Sequence, residues 1–308
     1  MMEIIDLRDS EGDLTGKAVA LGNFDGIHVG HQQLIMSNIH EARKRNLKSA
    51  VLMFKNHTKE LLLSNKESKL QLLTNFQQKI EIFKSFGLDA IYMIDFDESL
   101  MKLSPDEFID NILIKSLNAK LITVGFDYRF GYRASGDSEY LKKSGLNKGF
   151  YVSVIPPVHI GEEIVSSTAI RKFIRSGNIM KANEFLGRNY TIIGTVIEGK
   201  NRGRSLGFPT ANIRLQDNYV IPKEGVYLTN THLNNNKFIS LTNIGYNPTF
   251  NENELKIETY ILDFSGNLYG KTLEIQFIDY IRDDIKFNRV DELIHQIEED
   301  VKHIKKYY

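Results

Sequence analysis

Residues 22–31 read Gly-Asn-Phe-Asp-Gly-Ile-His-Val-Gly-His and gather the residue types that a polyphosphate site requires. Gly22, Gly26 and Gly30 let a backbone approach a ligand closely and adopt angles that a Cβ forbids. His28 and His31 stand three apart, so in a first helical turn both imidazoles point to one side. A helix start adds outward N–H groups and the positive end of the helix dipole. Phe24 and Asp25 lie between the glycines and complete the constellation. His-x-x-His could also open a zinc site, but the chain has no cysteine and no evident third ligand nearby.

The flanking sequence states what must position these residues. The apolar run Ala18 to Leu21 leads into the motif, and Leu34, Ile35, Ile39 and Ala42 follow it on one helical face. The motif therefore lies where a buried strand turns into a helix, and open α/β sheets bind ligands at such carboxyl ends. Further strand-like runs at 49–54, 91–96, 121–126 and 150–155 alternate with helical stretches near 31–45, 68–86 and 104–118. The last opens with Ser104-Pro105-Asp106-Glu107, a capping box with proline in the first helical position. The alternation predicts a Rossmann-like α/β domain with a parallel sheet over residues 1–186.

Two short helices are expected at about 167–175 and 178–186, stopped by Gly187. From there the periodicity changes. Strand-like runs at 191–199, 210–215, 225–232, 237–244, 256–264 and 272–281 are joined by turns such as Asn234-Asn235-Asn236 and Ser265-Gly266-Asn267. No helix separates them, so residues 187–308 are expected to form an antiparallel six-stranded β-barrel. A terminal helix near 289–305 carries Val290, Leu293, Ile294, Ile297, Val301 and Ile304 on one stripe.

Other segments carry chemistry. Asp127 and Arg129 follow the fourth strand run, on the same carboxyl edge as the histidine motif. In Ser166-Ser167-Thr168-Ala169-Ile170-Arg171, hydroxyls at a helix start precede an arginine that can fork onto phosphate oxygens. The same hydroxyls also suit a simple N-cap. Gly199 to Asn212 holds glycines at 199, 203 and 207 with Lys200, Arg202 and Arg204, a cradle for phosphate or a solvated basic hairpin. Thr210 and Asn212 face one way on a strand, and their oxygens suit hydrated Mg²⁺ beside nucleotide phosphates. Glu258, on a later strand, can accept a proton during phosphoryl transfer, although a strand carboxylate is commonly a solvent-facing charge.

Gly-x-Phe-Asp-Gly-x-His-x-Gly-His resembles the nucleotide-binding motif of the nucleotidyltransferase superfamily in its bacterial FAD synthetase form. Residues 187–308 resemble riboflavin kinase, through Gly-Phe-Pro-Thr-Ala-Asn at 207–212, Asn243-Ile244-Gly245 with Pro248-Thr249-Phe250, Glu258 and Ile281-Arg282. The resemblance spans roughly residues 15 to 305 and implies a bifunctional riboflavin kinase and FMN adenylyltransferase, with ATP, riboflavin, FMN and FAD as substrates and products and Mg²⁺ as cofactor. It places ATP for adenylyl transfer on Gly22, Phe24, Asp25, Gly26, His28, Gly30, His31, Ser167, Thr168 and Arg171, with His28 and His31 acting on the phosphates. FMN would meet His57, Asp127 and Arg129. In the kinase, ATP would meet Gly199, Gly203, Gly207, Thr210 and Asn212, the metal Thr210 and Asn212, the flavin Arg282, and Glu258 would be the base. Two positions depart from the family pattern: Ala169 stands where an arginine is frequent, and Phe54-Lys55-Asn56-His57-Thr58 lacks the prolines that often flank the histidine. A chain retaining only the kinase, and a non-enzymatic flavin or nucleotide binder, are the alternatives.

Composition bounds the partners. The 308 residues are 42% hydrophobic and 25% charged, which suits ordinary globular domains. Lys plus Arg balance Asp plus Glu, 39 against 39, so no bulk charge draws nucleic acid or membrane. The absence of cysteine excludes disulfides. Residues 1–16 lack the apolar core of a signal peptide, and no run approaches a membrane span. The expected setting is the cytoplasm, with small-molecule partners and weak self-association left open.

Overall fold

The computed structural model describes residues 2–8, 14–55, 71–199, 207–234, 236–249, 252–287 and 289–305. Packing divides the chain into two compact units, Met1–Leu70 with Asn75–Ser166, and Gln71–Thr74 with Ser167–Tyr308.

The first unit is built on six parallel strands: β1 (Glu3–Asp6), β2 (Lys17–Leu21), β3 (Lys48–Phe54), β4 (Ala90–Ile94), β5 (Ala119–Gly125) and β8 (Tyr151–Ile155), in spatial order β1-β4-β3-β2-β5-β8. Every residue of β2 is buried, as a strand covered on both faces requires. Its alternate residues serve different cores. Val19 and Leu21 join one with Ile122, Leu113 and Phe108, whereas Ala20 joins another with Leu34, Ile35, Ile39 and Phe83. The helix after β2, α1 (Val29–Lys44), supplies Leu34, Ile35 and Ile39 of the second set. Its buried Asn38 also donates from Nδ2 to Thr123 Oγ1 of β5 at 3.1 Å, tying the helix to the neighbouring strand.

From β2 the chain moves to β3 on one side, and from β5 to β8 on the other. The carboxyl ends of β2 and β5 therefore flank the topological switch point, where open α/β sheets leave a ligand crevice.

Several elements differ from the sequence expectation. The helix expected over 68–86 begins as α2 (Phe76–Ser85), because Asn75 and Gln78 form a reciprocal capping box at 2.8 and 2.9 Å. Residues 68–70 lie outside the described ones. A short helix, α3 (Glu98–Met101), precedes the expected Ser104/Glu107 capping box, which starts α4 (Pro105–Glu107). The backbone then continues as a π-type helix over Phe108–Ser116. Unexpected are β1, the hairpins β6 (Arg129–Phe130) with β7 (Gly136–Asp137) and β9 (His159–Ile160) with β10 (Glu163–Ile164), and α5 (Ser138–Lys148).

The second unit carries α6 (Ser167–Arg175), α7 (Ile179–Leu186) and a closed antiparallel barrel of order β11-β12-β15-β14-β13-β16. Its strands are β11 (Tyr190–Ile197), β12 (Thr210–Leu215), β13 (Gly225–Leu233), β14 (Asn236–Thr249), β15 (Glu252–Ile261) and β16 (Thr272–Arg282). A continuous set of buried hydroxyls crosses three strands: Thr231 to Ser240 at 2.7 Å, Ser240 to Thr229 at 2.9 Å, Thr229 to Thr242 at 2.8 Å and Thr242 to Thr259 at 3.0 Å. The terminal helix α8 (Val290–Lys305) packs Val301 and Ile304 with Val226, Leu228, Leu241 and Leu262.

The packing boundary falls between Ser166 and Ser167, and the helix pair 167–186 separates it from the boundary read in the sequence. α7 buries Ile179, Ala182, Phe185 and Leu186 and is also hydrogen-bonded to the barrel. Asn183 donates to Phe277 O of β16 at 2.9 Å and accepts from Tyr190 N of β11 at 2.7 Å.

Candidate active sites

At the end of β2 the chain turns sharply through the histidine motif and enters α1. His28 is the N-cap in extended geometry, and its Nδ1 accepts the His31 backbone N–H at 3.3 Å. A neutral imidazole that accepts at Nδ1 carries its proton on Nε2, so His28 presents an Nε2–H donor. The two rings stack, with centroids 3.7 Å apart and planes 15° from parallel.

Glycine suits two of these places. Gly26 has φ of 81°, and a Cβ on Gly30 would lie 3.2 Å from His28 Nδ1. Two non-glycine residues also hold positive φ, Phe24 at 48° and Ile27 at 37°. Such conformations cost about 1–3 kcal/mol each and persist only where the surroundings enforce them. Both side chains are completely buried. The Phe24 ring lies edge-on to His31 at 5.4 Å and to Phe83 at 5.5 Å, so it supports the histidine from within the core. Gln32 Nε2 donates to Ile27 O at 2.9 Å and braces the strained loop from the first helical turn. Asp25 is buried as well, at 3% exposure.

Across the switch point, β5 ends in the segment carrying Asp127 and Arg129, both exposed. Arg129 Nη1 pairs with Asp137 Oδ2 at 3.3 Å across the β6–β7 hairpin. Phe126 is 46% exposed at this edge, and its N–H donates to Ile155 O at 3.0 Å. The sequence reading did not single out Phe126, which it counted as the last residue of the run 121–126, whereas β5 ends at Gly125. His57 lies outside the described residues. Ser167, Thr168 and Arg171 form the first turns of α6 and belong to the second unit, where Arg171 Nε donates to Gln71 O at 3.2 Å.

On the barrel, strand register does the assembling. Asn212 of β12 is directly opposite Glu258 of β15, and Glu258 is directly opposite Asn243 of β14. Directly paired residues share a sheet face, so these three side chains form one row. Thr210, two residues before Asn212, pairs with Tyr260 on that same face. The opposite faces of β12 and β15 bury Ala211, Ile213, Ile257, Thr259 and Ile261. Glu258 keeps 23% side-chain exposure and accepts from Lys256 Nζ at Oε2, 2.8 Å away. Gly199, just past β11, lies against the Asn212 amide so closely that a Cβ there would sit 2.0 Å from Nδ2.

Gly207 has φ of 85° and open space around it. Gly203 lies outside the described residues. Arg282 has a setting the sequence did not reveal. Its Nε and Nη2 donate to buried Asp300 of α8 at 2.8–3.0 Å, and Nη1 donates to Asp283 O at 3.0 Å.

The oxygens of Thr210, Asn212 and Glu258 make a hard donor set, suited to Mg²⁺ rather than a soft metal. Among the described residues no three His, Asp or Glu side chains gather as a metal cage. Mg²⁺ commonly takes one or two protein oxygens and completes its shell with water and substrate phosphates, so the row fits it.

Comparison with known proteins matches both units. The FAD synthetase family matches residues 10–169 and the riboflavin kinase family residues 186–308. A Listeria monocytogenes protein named bifunctional riboflavin kinase/FMN adenylyltransferase is 39% identical over 293 residues, covering 95% of this chain and 92% of its own. Proteins of the same name from Bacillus subtilis and Escherichia coli are 35% and 33% identical, each covering 94% of this chain and 92% of its own. A crystal structure from Streptococcus pneumoniae, described as a macrolide-efflux protein, is 34% identical with a TM-score of 0.89 and covers 98% of this chain and 97% of its own. Among the described residues no helix is long and apolar enough to cross a membrane. The chain belongs to the family of bifunctional riboflavin kinase/FMN adenylyltransferases, enzymes that phosphorylate riboflavin to FMN and adenylylate FMN to FAD.

Proposed function

We propose that the switch-point residues of the first unit carry adenylyl transfer and that the Asn212–Glu258 row of the barrel carries the kinase step. The single observation that supports the kinase assignment most is register: residues 46 positions apart in sequence stand directly opposite each other as Asn212 and Glu258. The adenylyl site has parallel support from the stacked histidines that follow β2, the strand next to β5 at the switch point.

In adenylyl transfer an FMN phosphate oxygen attacks the α-phosphorus of ATP and pyrophosphate leaves. No enzyme nucleophile is needed, so the protein's task is positioning and charge stabilisation. His28 Nε2–H, His31 and the N-terminal end of α1 serve the phosphates. Asp127, Arg129 and the exposed Phe126 ring serve the flavin nucleotide.

In the kinase step a ribityl hydroxyl attacks the γ-phosphorus of ATP and ADP leaves. Glu258 takes the hydroxyl proton; Lys256 already holds Oε2, so Oε1 is the oxygen assigned to that proton. Thr210 and Asn212 would hold Mg²⁺, whose charge when bound neutralises phosphate oxygens. Arg282 orders the flavin side of the site through α8, by way of Asp300. The setting is the cytoplasm, where all three small-molecule substrates are available.

Supplying riboflavin, ATP and Mg²⁺ and separating products by chromatography tests the assignment. Glu258→Gln should block FMN formation while supplied FMN is still converted to FAD. Normal phosphorylation by this variant would remove Glu258 from the kinase site.

A further inference from the structure

Asn243 has a polar atom that the protein leaves without a donor. Its Oδ1 is buried and accepts no hydrogen bond among the described residues. Register explains why. On one side stands Glu258, whose carboxylate only accepts when ionised; on the other stands Val226, a hydrocarbon at 6% exposure. The next residue in the row is Arg282, and its fork is committed to Asp300. The Asn243 Nδ2 lies toward Gly245, 4.0 Å from where a Cβ on that residue would sit, and Asp284 Oδ2 is 3.9 Å from the same point.

An unsatisfied buried acceptor is costly, and native proteins rarely keep one without a use. The direct neighbour of Asn243 across the strand pair is Glu258 of the kinase row. We propose that Asn243 is a third polar contact of the kinase site, its Oδ1 accepting from an O–H group that arrives with the substrates. This rests on the reading of Glu258 and Asn212 as kinase residues. Two sources supply such a group: a hydroxyl of the riboflavin ribityl chain, or a water carried in on Mg²⁺. Both are O–H donors aimed at a row of oxygen acceptors.

The ligand-free protein gives the inference a distinctive signature. Replacing Asn243 with leucine, which has the same γ-branched shape and the same number of side-chain heavy atoms, removes the orphaned acceptor and suits a strand residue paired with Val226. The thermal midpoint of the ligand-free chain should therefore hold or rise, while a substrate contact is lost. Loss of one hydrogen bond to a neutral partner corresponds to roughly 2- to 13-fold in affinity.

The experiment compares Asn243→Leu with the parent as full-length chains, measuring the ligand-free midpoint, kinase KM and kcat for riboflavin, the Ki of lumiflavin and the Mg²⁺ concentration at half-maximal rate. Lumiflavin has the flavin ring but no ribityl chain. A raised riboflavin KM with unchanged lumiflavin Ki assigns the donor to the ribityl chain. A raised Mg²⁺ requirement with unchanged riboflavin KM assigns it to the metal-bound water. The proposal is overturned if all the constants match the parent. It is also overturned if the midpoint falls and riboflavin and lumiflavin weaken together, since that is what a structural role would give. Glu258→Gln, run alongside, separates the two levels: if it phosphorylates normally, the kinase reading itself is wrong; if it is inactive while Asn243→Leu is normal, only the Asn243 proposal falls.

Discussion

Substituting Gly199 with alanine puts the geometry of the kinase row under direct test. A Cβ at this position would lie 2.0 Å from Asn212 Nδ2 and 2.6 Å from its Cγ. Comfortable non-bonded contact begins at about 3.5 Å, so the Asn212 amide must retreat by roughly 1.5 Å or the backbone must part. Asn212 is directly opposite Glu258, and a displacement near 1 Å in a positioned site costs on the order of 10²-fold in rate. If the backbone yields instead, overpacking costs about 1–3 kcal/mol of stability. Gly199→Ala should therefore lower riboflavin phosphorylation by around two orders of magnitude, with FAD formation from supplied FMN unchanged. Combining it with Asn212→Ala relieves the clash, so the double variant should regain any lost thermal stability without regaining kinase activity. That non-additivity is the mark of two residues in contact. Wild-type phosphorylation by Gly199→Ala would refute the reasoning, because the asserted contact would then carry no consequence.

Further outcomes follow from the same structure. His28→Ala removes one preorganised donor and should lower FAD formation from FMN by roughly 10²–10³-fold, measured by product chromatography, with phosphorylation of riboflavin intact. Thr242→Val interrupts the buried hydroxyl chain between Thr229 and Thr259 and should cost about 1–3 kcal/mol in denaturant unfolding, since the hydroxyls left behind lose a partner. Burial pushes the hydroxyls of Tyr219 and Tyr227 up from their ordinary value. Their folded-state pKa exceeds the unfolded value, so this stabilisation is complete below pH about 10 and is lost as the pH rises further. The thermal midpoint should decline above that pH, and Tyr227→Phe should flatten the decline.

The parts of the fold legible in the sequence are those whose periodicity matches their burial. The strand β2 with α1 is one: the run Ala18 to Leu21 is completely buried, and Leu34, Ile35, Ile39 and Ala42 face the core. The barrel is another, since its turns punctuate strands that no helix separates. What escaped has physical reasons. β1 is a short edge strand with exposed and half-buried residues, so it shows no apolar run. α5 buries only Ser138, Leu141, Ser144 and Gly145, and its signals were the cap at Asp137 and the left-handed Gly149 rather than an apolar stripe. The strain at Phe24 and Ile27 could not be read, because nothing in a phenylalanine or isoleucine announces positive φ. The tie between α7 and strands β11 and β16 runs through Asn183, a polar residue within an otherwise apolar buried face that carries no such signal in sequence. Residue types and the family resemblance singled out Glu258, Thr210 and Asn212 as candidates, but only register sets Glu258 between Asn212 and Asn243.

The central claim is that two separate sets of residues in one chain perform consecutive steps, and mixing two inactive halves measures it most directly. His28→Ala alone, given riboflavin, ATP and Mg²⁺, should accumulate FMN with little FAD. Glu258→Gln alone should leave riboflavin unconverted. Combined in one tube, the first variant supplies FMN that the second adenylylates, so FAD should appear from riboflavin after a lag while FMN builds up. A mixture that makes FMN but no FAD, although Glu258→Gln converts supplied FMN, would contradict the account by showing that the two sites cannot act independently.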